Sequence, residues 1–187
     1  MHEYTIHTVE SAPEGSREAM RAMRQKFGFV PNLIGELAAA PTALRAYVAL
    51  GQLIEESTFT PVEQQLILLS VSVVNDCHYC VAAHSGGLKR AGFADDQIEA
   101  ARDGLSLDDT KLEALRRFTR AVVRNRGHMT DSELQAFLRA GYHKGQVLEV
   151  LVGVAMKTIS NYTNHIAETP LDTQLQAFAW ESESTAV

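Results

Sequence analysis

The apolar positions of this chain recur with helical spacing along nearly its whole length. Over 16–26 the pattern is amphipathic, with Met20, Met23 and Phe27 spaced for one face. A break at Gly28-Phe29-Val30 leads to Pro31, placed as the first residue of a helical segment through 39. Pro41 starts another helix to about residue 56, with Leu44, Tyr47, Val48, Leu50 and Leu53 on its apolar side. The clearest helix start is Thr60-Pro61-Val62-Glu63: an N-cap threonine, a proline at the first helical position, and Glu63 closing a capping box. Beyond it, 66–74 is apolar nearly all round, interrupted only by Ser70 and Ser72, which marks a buried helix. Asn75-Asp76 predicts a break, with Asp76 capping a new helix from Cys77 to about residue 91, closed by Gly92.

Further helices are predicted over 95–102, over 108–126 ended by Gly127, from 130 to near 141, and over 144–168 ended by Pro170. The first half of the last one, 147–156, is almost entirely apolar. No stretch alternates with period two between hairpin turns, so the predicted fold class is all-α, a helical bundle in which a buried helix leads into the cysteine-bearing one. The 187 residues suit a single domain spanning 1–187, with a core motif at 60–91 and a polar tail at about 181–187. A faint internal repeat at an offset of 83 residues lays 68–80 over 151–163 and puts Ser160 and Thr163 where Cys77 and Cys80 stand. It predicts two similar helical hairpins, only the first keeping thiols.

The chemistry concentrates in Cys77-His78-Tyr79-Cys80, followed by His84. These are the only two cysteines, and positions three and four apart share a helix face. One surface would thus carry two thiols and an imidazole. A helix N-terminus favours the thiolate, and His84 lies one turn beyond Cys80, able to accept its proton directly or through one water. Cys80 is therefore the better candidate for the attacking sulfur, with Cys77 in reach to close a disulfide. The pair would make a poor structural staple, because the loop it closes is very small. Zinc is the main rival reading, but a closed site needs a fourth ligand and no second CxxC or HxxxH is present; inert packing is the third. His78 reads as exposed or partner-facing. Asn161, Tyr162, Asn164 and His165 form a polar patch late in the last helix, either a packing or subunit contact or one wall of a pocket opposite the thiols.

Charge narrows the partners. With 17 basic and 23 acidic residues, a formal net charge of −6 and no basic stripe, no nucleic-acid partner is expected. The densest basic stretch, Arg116-Arg117 with Arg120, Arg124 and Arg126, recurs at helical spacing and reads as a solvated helix face rather than an anion site. No apolar run is long enough to cross a bilayer, and the first sixteen residues do not read as a secretory signal, so a cytoplasmic location and no membrane partner are expected.

The stretch TPVEQQLILLSVSVVNDCHYCVAAH over 60–84 resembles the AhpD-like core of the carboxymuconolactone decarboxylase superfamily, and FGFVPNL and NYTNHIAETPLD resemble segments of its longer single-domain members. The resemblance implies an all-helical protein without a metal or organic cofactor, assembled as a homo-oligomer (trimer or hexamer). It implies reduction of alkyl hydroperoxides by the cysteine pair, recycled by a dithiol reductant such as a lipoyl-bearing protein. It makes Cys80 the attacking cysteine, Cys77 the resolving one and His84 the base. The family's relay glutamate falls at Gln65, and Glu63, two residues earlier, points to another side of the helix. The relay histidine falls at Tyr79, with His78 one position off, so two relay members are altered and turnover is expected to suffer. Lactone decarboxylation is not expected, because that branch lacks the cysteine pair. The alternative is a non-enzymatic redox sensor or oligomeric scaffold. A third option is small-molecule binding or lyase chemistry with the thiols as bystanders.

Overall fold

The computed structural model describes residues 4–181. Among them are nine α-helices, α1 Glu14–Phe27, α2 Asn32–Leu37, α3 Pro41–Glu55, α4 Pro61–Val74, α5 His78–Arg90, α6 Asp95–Asp103, α7 Thr110–Arg124, α8 Asp131–Arg139 and α9 Lys144–Ala167, followed by a 3-10 turn over Thr173–Phe178. No strand occurs among the described residues. The polar tail read from the sequence lies almost wholly outside them.

Helix α4 is the axis of the bundle. Its capping box is complete, with Thr60 Oγ1 accepting from Glu63 N–H at 3.3 Å and Glu63 Oε2 accepting from Thr60 N–H at 2.9 Å. Such a cap is worth about 1 kcal/mol. Leu66, Ile67, Leu69 and Val71 are fully buried, and α5, α7 and α9 all pack on this helix. Gly153 sets the approach of α9: a Cβ there would stand 2.7 Å from Ile67 Cγ2. One turn after Gly153 stands Lys157, fully buried, and close helix contact at the glycine carries that side chain into the interior.

The segments FGFVPNL and NYTNHIAETPLD dock on each other. Asn32 Nδ2 donates to the Pro170 carbonyl at 3.0 Å, Thr169 Oγ1 donates to Glu36, and Asp172 accepts the Asn32 N–H at 3.1 Å. Pro31 is thus the N-cap of α2 rather than its first residue. Having no side-chain acceptor, it leaves the first amide of the helix to a carboxylate from the far end of the chain. These contacts close one of the apolar clusters, built from Met20, Leu33, Ile34, Leu37 and Leu44, around Cys77, Tyr79 and Cys80.

Other boundaries moved for local reasons. Asp109, not Asp108, caps α7, accepting from the amides of Lys111 and Leu112. A 3-10 turn over Thr173–Phe178 follows Pro170, where the pattern predicts the last helix to end, and seats Leu175 on the core. The two segments paired by the 83-residue offset differ in shape. Residues 68–80 leave α4, turn and enter α5, whereas 151–163 lie in one continuous helix with Leu151 exposed where Leu68 is buried.

Candidate thiol site

Backbone geometry delivers the cysteines. Helix α4 ends with Asp76 in the left-handed region, φ 53°, while Cys77 N–H reaches back to the Ser72 carbonyl at 2.9 Å and Asp76 N–H to Val73 at 3.1 Å. This is the paired hydrogen-bond closure usually built on glycine. Asp76 therefore ends α4 instead of capping α5. The N-cap is Cys77 itself, extended at φ −95°, with no side-chain cap bond. Cys80 is the third residue of α5, among its unpaired N-terminal amides, where the helix field favours negative charge.

Both sulfurs are buried, at 1% and 2% residue exposure, and are free thiols. They share one donor: Asn164 Nδ2 lies 3.1 Å from Cys80 Sγ and 3.4 Å from Cys77 Sγ. Cys80 Sγ also lies 3.8 Å from Ser160 Oγ. The two thiols are pulled in opposite directions. Donating its hydrogen bond to Cys80 and being buried push the Cys77 thiol up. Burial acts the same way on Cys80, but the Cys77 thiol, the Lys157 charge and the Ser160 hydroxyl outweigh it, holding Cys80 well below the ordinary thiol range.

Lys157 is fully buried on the inner face of α9. Its Nζ donates to His84 Nε2 at 2.9 Å, and His84 Nδ1 meets Gln65 Oε1 at 3.0 Å. A lysine ammonium offers only donors, so Nε2 is the acceptor, and Nδ1 carries the hydrogen given to the Gln65 carbonyl oxygen. Burial first, then the charges of Lys157 and Arg90, hold His84 well below its usual range, so the ring is neutral. The acceptor nitrogen of His84 is thus engaged by Lys157, and the route from Cys80 to the imidazole passes through the lysine. Gly87 makes the last link possible, because a Cβ there would fall 2.2 Å from Gln65 Oε1.

The remaining residues singled out from the sequence lie elsewhere. Glu63 is tied to its own cap, to Tyr142 Oη at 2.9 Å and to Lys111 at 3.2 Å, away from the thiols. His78 is exposed, with Nδ1 2.8 Å from the Trp180 carbonyl oxygen and its ring against the indole. Tyr79 is buried beside the cysteines, donates its hydroxyl to Asp172, and is pushed up by burial and that carboxylate. The polar patch of α9 divides: Asn161 and Asn164 face inward with Lys157 and Ser160, whereas Tyr162 and His165 face solvent. Asn161 Oδ1 accepts from Asn75 Nδ2 at 2.9 Å, bracing the turn before Cys77.

Lys157 and Ser160 were missed as site residues, and Asn164 was named only as part of the polar patch. The available signal was their register, because all three share the inward face with Val150 and Gly153. A cavity of about 470 Å³ lined by His78, Tyr79, Leu171 and Trp180 opens on the outer side of Tyr79. Among the described residues no group of three or more His, Cys, Asp and Glu side chains is placed to hold a metal ion, and no helix is long and apolar enough to cross a membrane.

Residues 36–119 match the model of the carboxymuconolactone decarboxylase family. The AhpD-like all-helical fold extends well beyond that segment. A crystallised AhpD core, an uncharacterized peroxidase-related protein from Ralstonia eutropha JMP134, has a TM-score of 0.83 at 20% identity, covering 94% of this chain and 96% of that one. An uncharacterized peroxidase-related protein from Silicibacter sp. TM1040 has a TM-score of 0.78 at 17% identity, over 93% and 95%. The debrominase Bmp8, crystallised as a cysteine-to-alanine variant with 2,3,4-tribromopyrrole, has a TM-score of 0.81 at 19% identity, over 95% and 96%. No curated protein matches the sequence. At these identities the neighbours establish the fold, and they attach more than one chemistry to it.

Proposed function

We propose that the protein is a thiol-dependent oxidoreductase that reduces alkyl hydroperoxides through Cys80 and Cys77. The observation that supports this reading is a pair of adjacent free thiols at the start of α5, held by Asn164 Nδ2 at 3.1 and 3.4 Å, with Lys157 and Ser160 favouring the thiolate at Cys80. Cys80 attacks the terminal peroxide oxygen, the O–O bond breaks, and a sulfenic acid forms on Cys80. The leaving alkoxide takes a proton, for which the Lys157 ammonium is the donor carried by the site. The Cys77 thiol then condenses with the sulfenic acid, its proton departing with hydroxide as water, and a disulfide closes. An external dithiol reduces that bond, restoring the Cys80 thiolate and the Cys77 thiol and returning one proton to Lys157. His84, fixed by Gln65, orients the lysine. Dithiol donors of the lipoyl type and a homo-oligomeric assembly belong to the same proposal.

Free thiols counted before and after one equivalent of an organic hydroperoxide test it. Both thiols should disappear together in the wild type and return with dihydrolipoamide over repeated cycles. Unchanged counts, or peroxide consumption that survives Cys80→Ser, would overturn it. The near-complete burial of both sulfurs favours a second reading, a redox-responsive protein that oxidises once and turns over slowly. A single oxidation without sustained consumption under excess dithiol would select that reading. Because a debrominase shares the fold, a bromopyrrole is the informative competing substrate: thiolate-dependent release of bromide faster than peroxide reduction would move the assignment to dehalogenation.

A further inference from the structure

Arg117 and Arg124 of α7 are solvated as their spacing predicts, but Arg116 and Arg120 turn inward. Arg116 is buried, with 4% of its side chain exposed. Its Nε and Nη2 grip Glu113 at 2.8 and 2.9 Å, and Arg117 Nε donates to the same carboxylate. These guanidinium bonds hold the Glu113 carboxyl at about 2 against the opposing effect of burial, so it is ionised. The other edge of Arg116 has no such partner: Nη1 is buried without a hydrogen bond, as are Nε of Arg120 and Nε of Arg102. A buried guanidinium N–H without an acceptor is costly, and natural proteins rarely leave one unless something else supplies the oxygen.

Arg116 and Arg120 open onto one cavity of about 570 Å³, lined also by Arg117, Arg124, Asn125 and Glu133. Gly104 forms part of the wall, closing α6 at φ 82°, with Arg120 Nη1 3.8 Å from where a Cβ would stand. Glu133, the one carboxylate of the lining, has Oε2 occupied by the amide and hydroxyl of Thr130. Burial and the neighbouring charges of Arg116 and Arg124 lower Arg120, the mark of like charges held together. Four guanidinium groups thus line the cavity against the single carboxylate of Glu133, with Glu113 behind Arg116 and Arg117, leaving positive charge in excess in a chain whose overall charge is negative.

We propose that this α6–α7–α8 cavity binds a small-molecule oxyanion, a phosphate or polycarboxylate group, on the free N–H edges of Arg116 and Arg120 with Arg124 at the mouth. Guanidinium forks match the paired oxygens of such groups, and an oxyanion supplies the acceptors that the buried nitrogens lack. The lining is separate from that of the cavity beside Tyr79, so the site is independent of the thiol chemistry.

The test is calorimetric titration of the full chain with pyrophosphate and, separately, with citrate, against sodium chloride at matched ionic strength. Saturable binding of at least one anion is expected, weakened by about tenfold or more in Arg120→Gln and to a smaller degree in Arg124→Gln. Peroxide-driven loss of thiols should be unchanged in both variants. Preference for pyrophosphate assigns a phosphate ligand and preference for citrate a polycarboxylate. Heats no larger than those of chloride, or affinity unaltered in folded Arg120→Gln and in Arg124→Gln, whose altered side chain is exposed, would overturn the proposal.

Discussion

Lys157 and His84, 73 residues apart in sequence, are joined by a 2.9 Å hydrogen bond in the interior of the protein. The bond ties α9 to α5 behind the cysteine pair and makes a lysine, not the histidine, the charge that bears on the Cys80 sulfur. Replacing Lys157 by methionine retains volume and removes that charge. The ultraviolet thiolate titration of Cys80 should then move to higher pH by about one unit or more, equivalent to about 1.4 kcal/mol per unit. Thermal stability should fall, because the buried His84 Nε2 acceptor and the Cys80 sulfur both lose their partner. An unchanged titration in a folded variant would contradict this role.

Gln65 is set by Gly87, and Gly87→Ala should displace it. The added methyl collides with Gln65 Oε1, which must swing away and release His84. Helicity should be retained and the peroxide rate should fall. Gln65→Glu acts in the opposite sense, placing a carboxylate at the His84 Nδ1–H and raising the basicity of the ring. Peroxidase rate should rise in that variant if proton delivery limits turnover; equal rates in both variants would remove the Gln65–His84 pair from the account.

His84 also makes a prediction for stability. Its folded-state value lies below the unfolded value of 6.5, so the unfolded chain binds more protons between those two values. The associated stability is fully present above about pH 6.5 and is lost as the pH falls toward the folded-state value. Urea melts at successive pH values should show a decline on acidification that is shallower in His84→Gln. Parallel profiles in the two proteins would contradict the assignment of a buried neutral ring.

Asp76 occupies a left-handed position that glycine adopts without strain. Asp76→Gly should therefore preserve the α4–α5 turn and stabilise the protein by up to about 1 kcal/mol, offset in part by the greater freedom of the unfolded chain. Asp76→Val should destabilise it and disturb both thiols, since Cys77 N–H is part of the turn. Denaturant midpoints and thiol reactivity together measure this.

Much of this organisation was legible in the sequence because it is local. The Thr60–Glu63 capping box, the buried run after it, the break at Asn75-Asp76 and the thiol pair at the next helix start all follow from neighbouring residues. What escaped was long-range. Asp172 caps α2 from 140 residues away, and nothing beside Pro31 announces it. Lys157 reads in sequence as the polar end of an apolar stretch, and only its phase relative to Gly153 and Ser160 reveals a buried charge. Phase also separates Asn164, which holds both sulfurs, from Tyr162 and His165, which sequence proximity had grouped with it.

The central claim, that Cys80 attacks and Cys77 resolves, is tested most directly by trapping the first oxidation product. Cys77→Ser exposed to one equivalent of organic hydroperoxide in the presence of dimedone should carry the sulfenic-acid adduct on Cys80, located by peptide mass spectrometry, while Cys80→Ser should carry none on Cys77. An adduct on Cys77 in the Cys80→Ser variant, or none on Cys80 in the Cys77→Ser variant, would contradict the account.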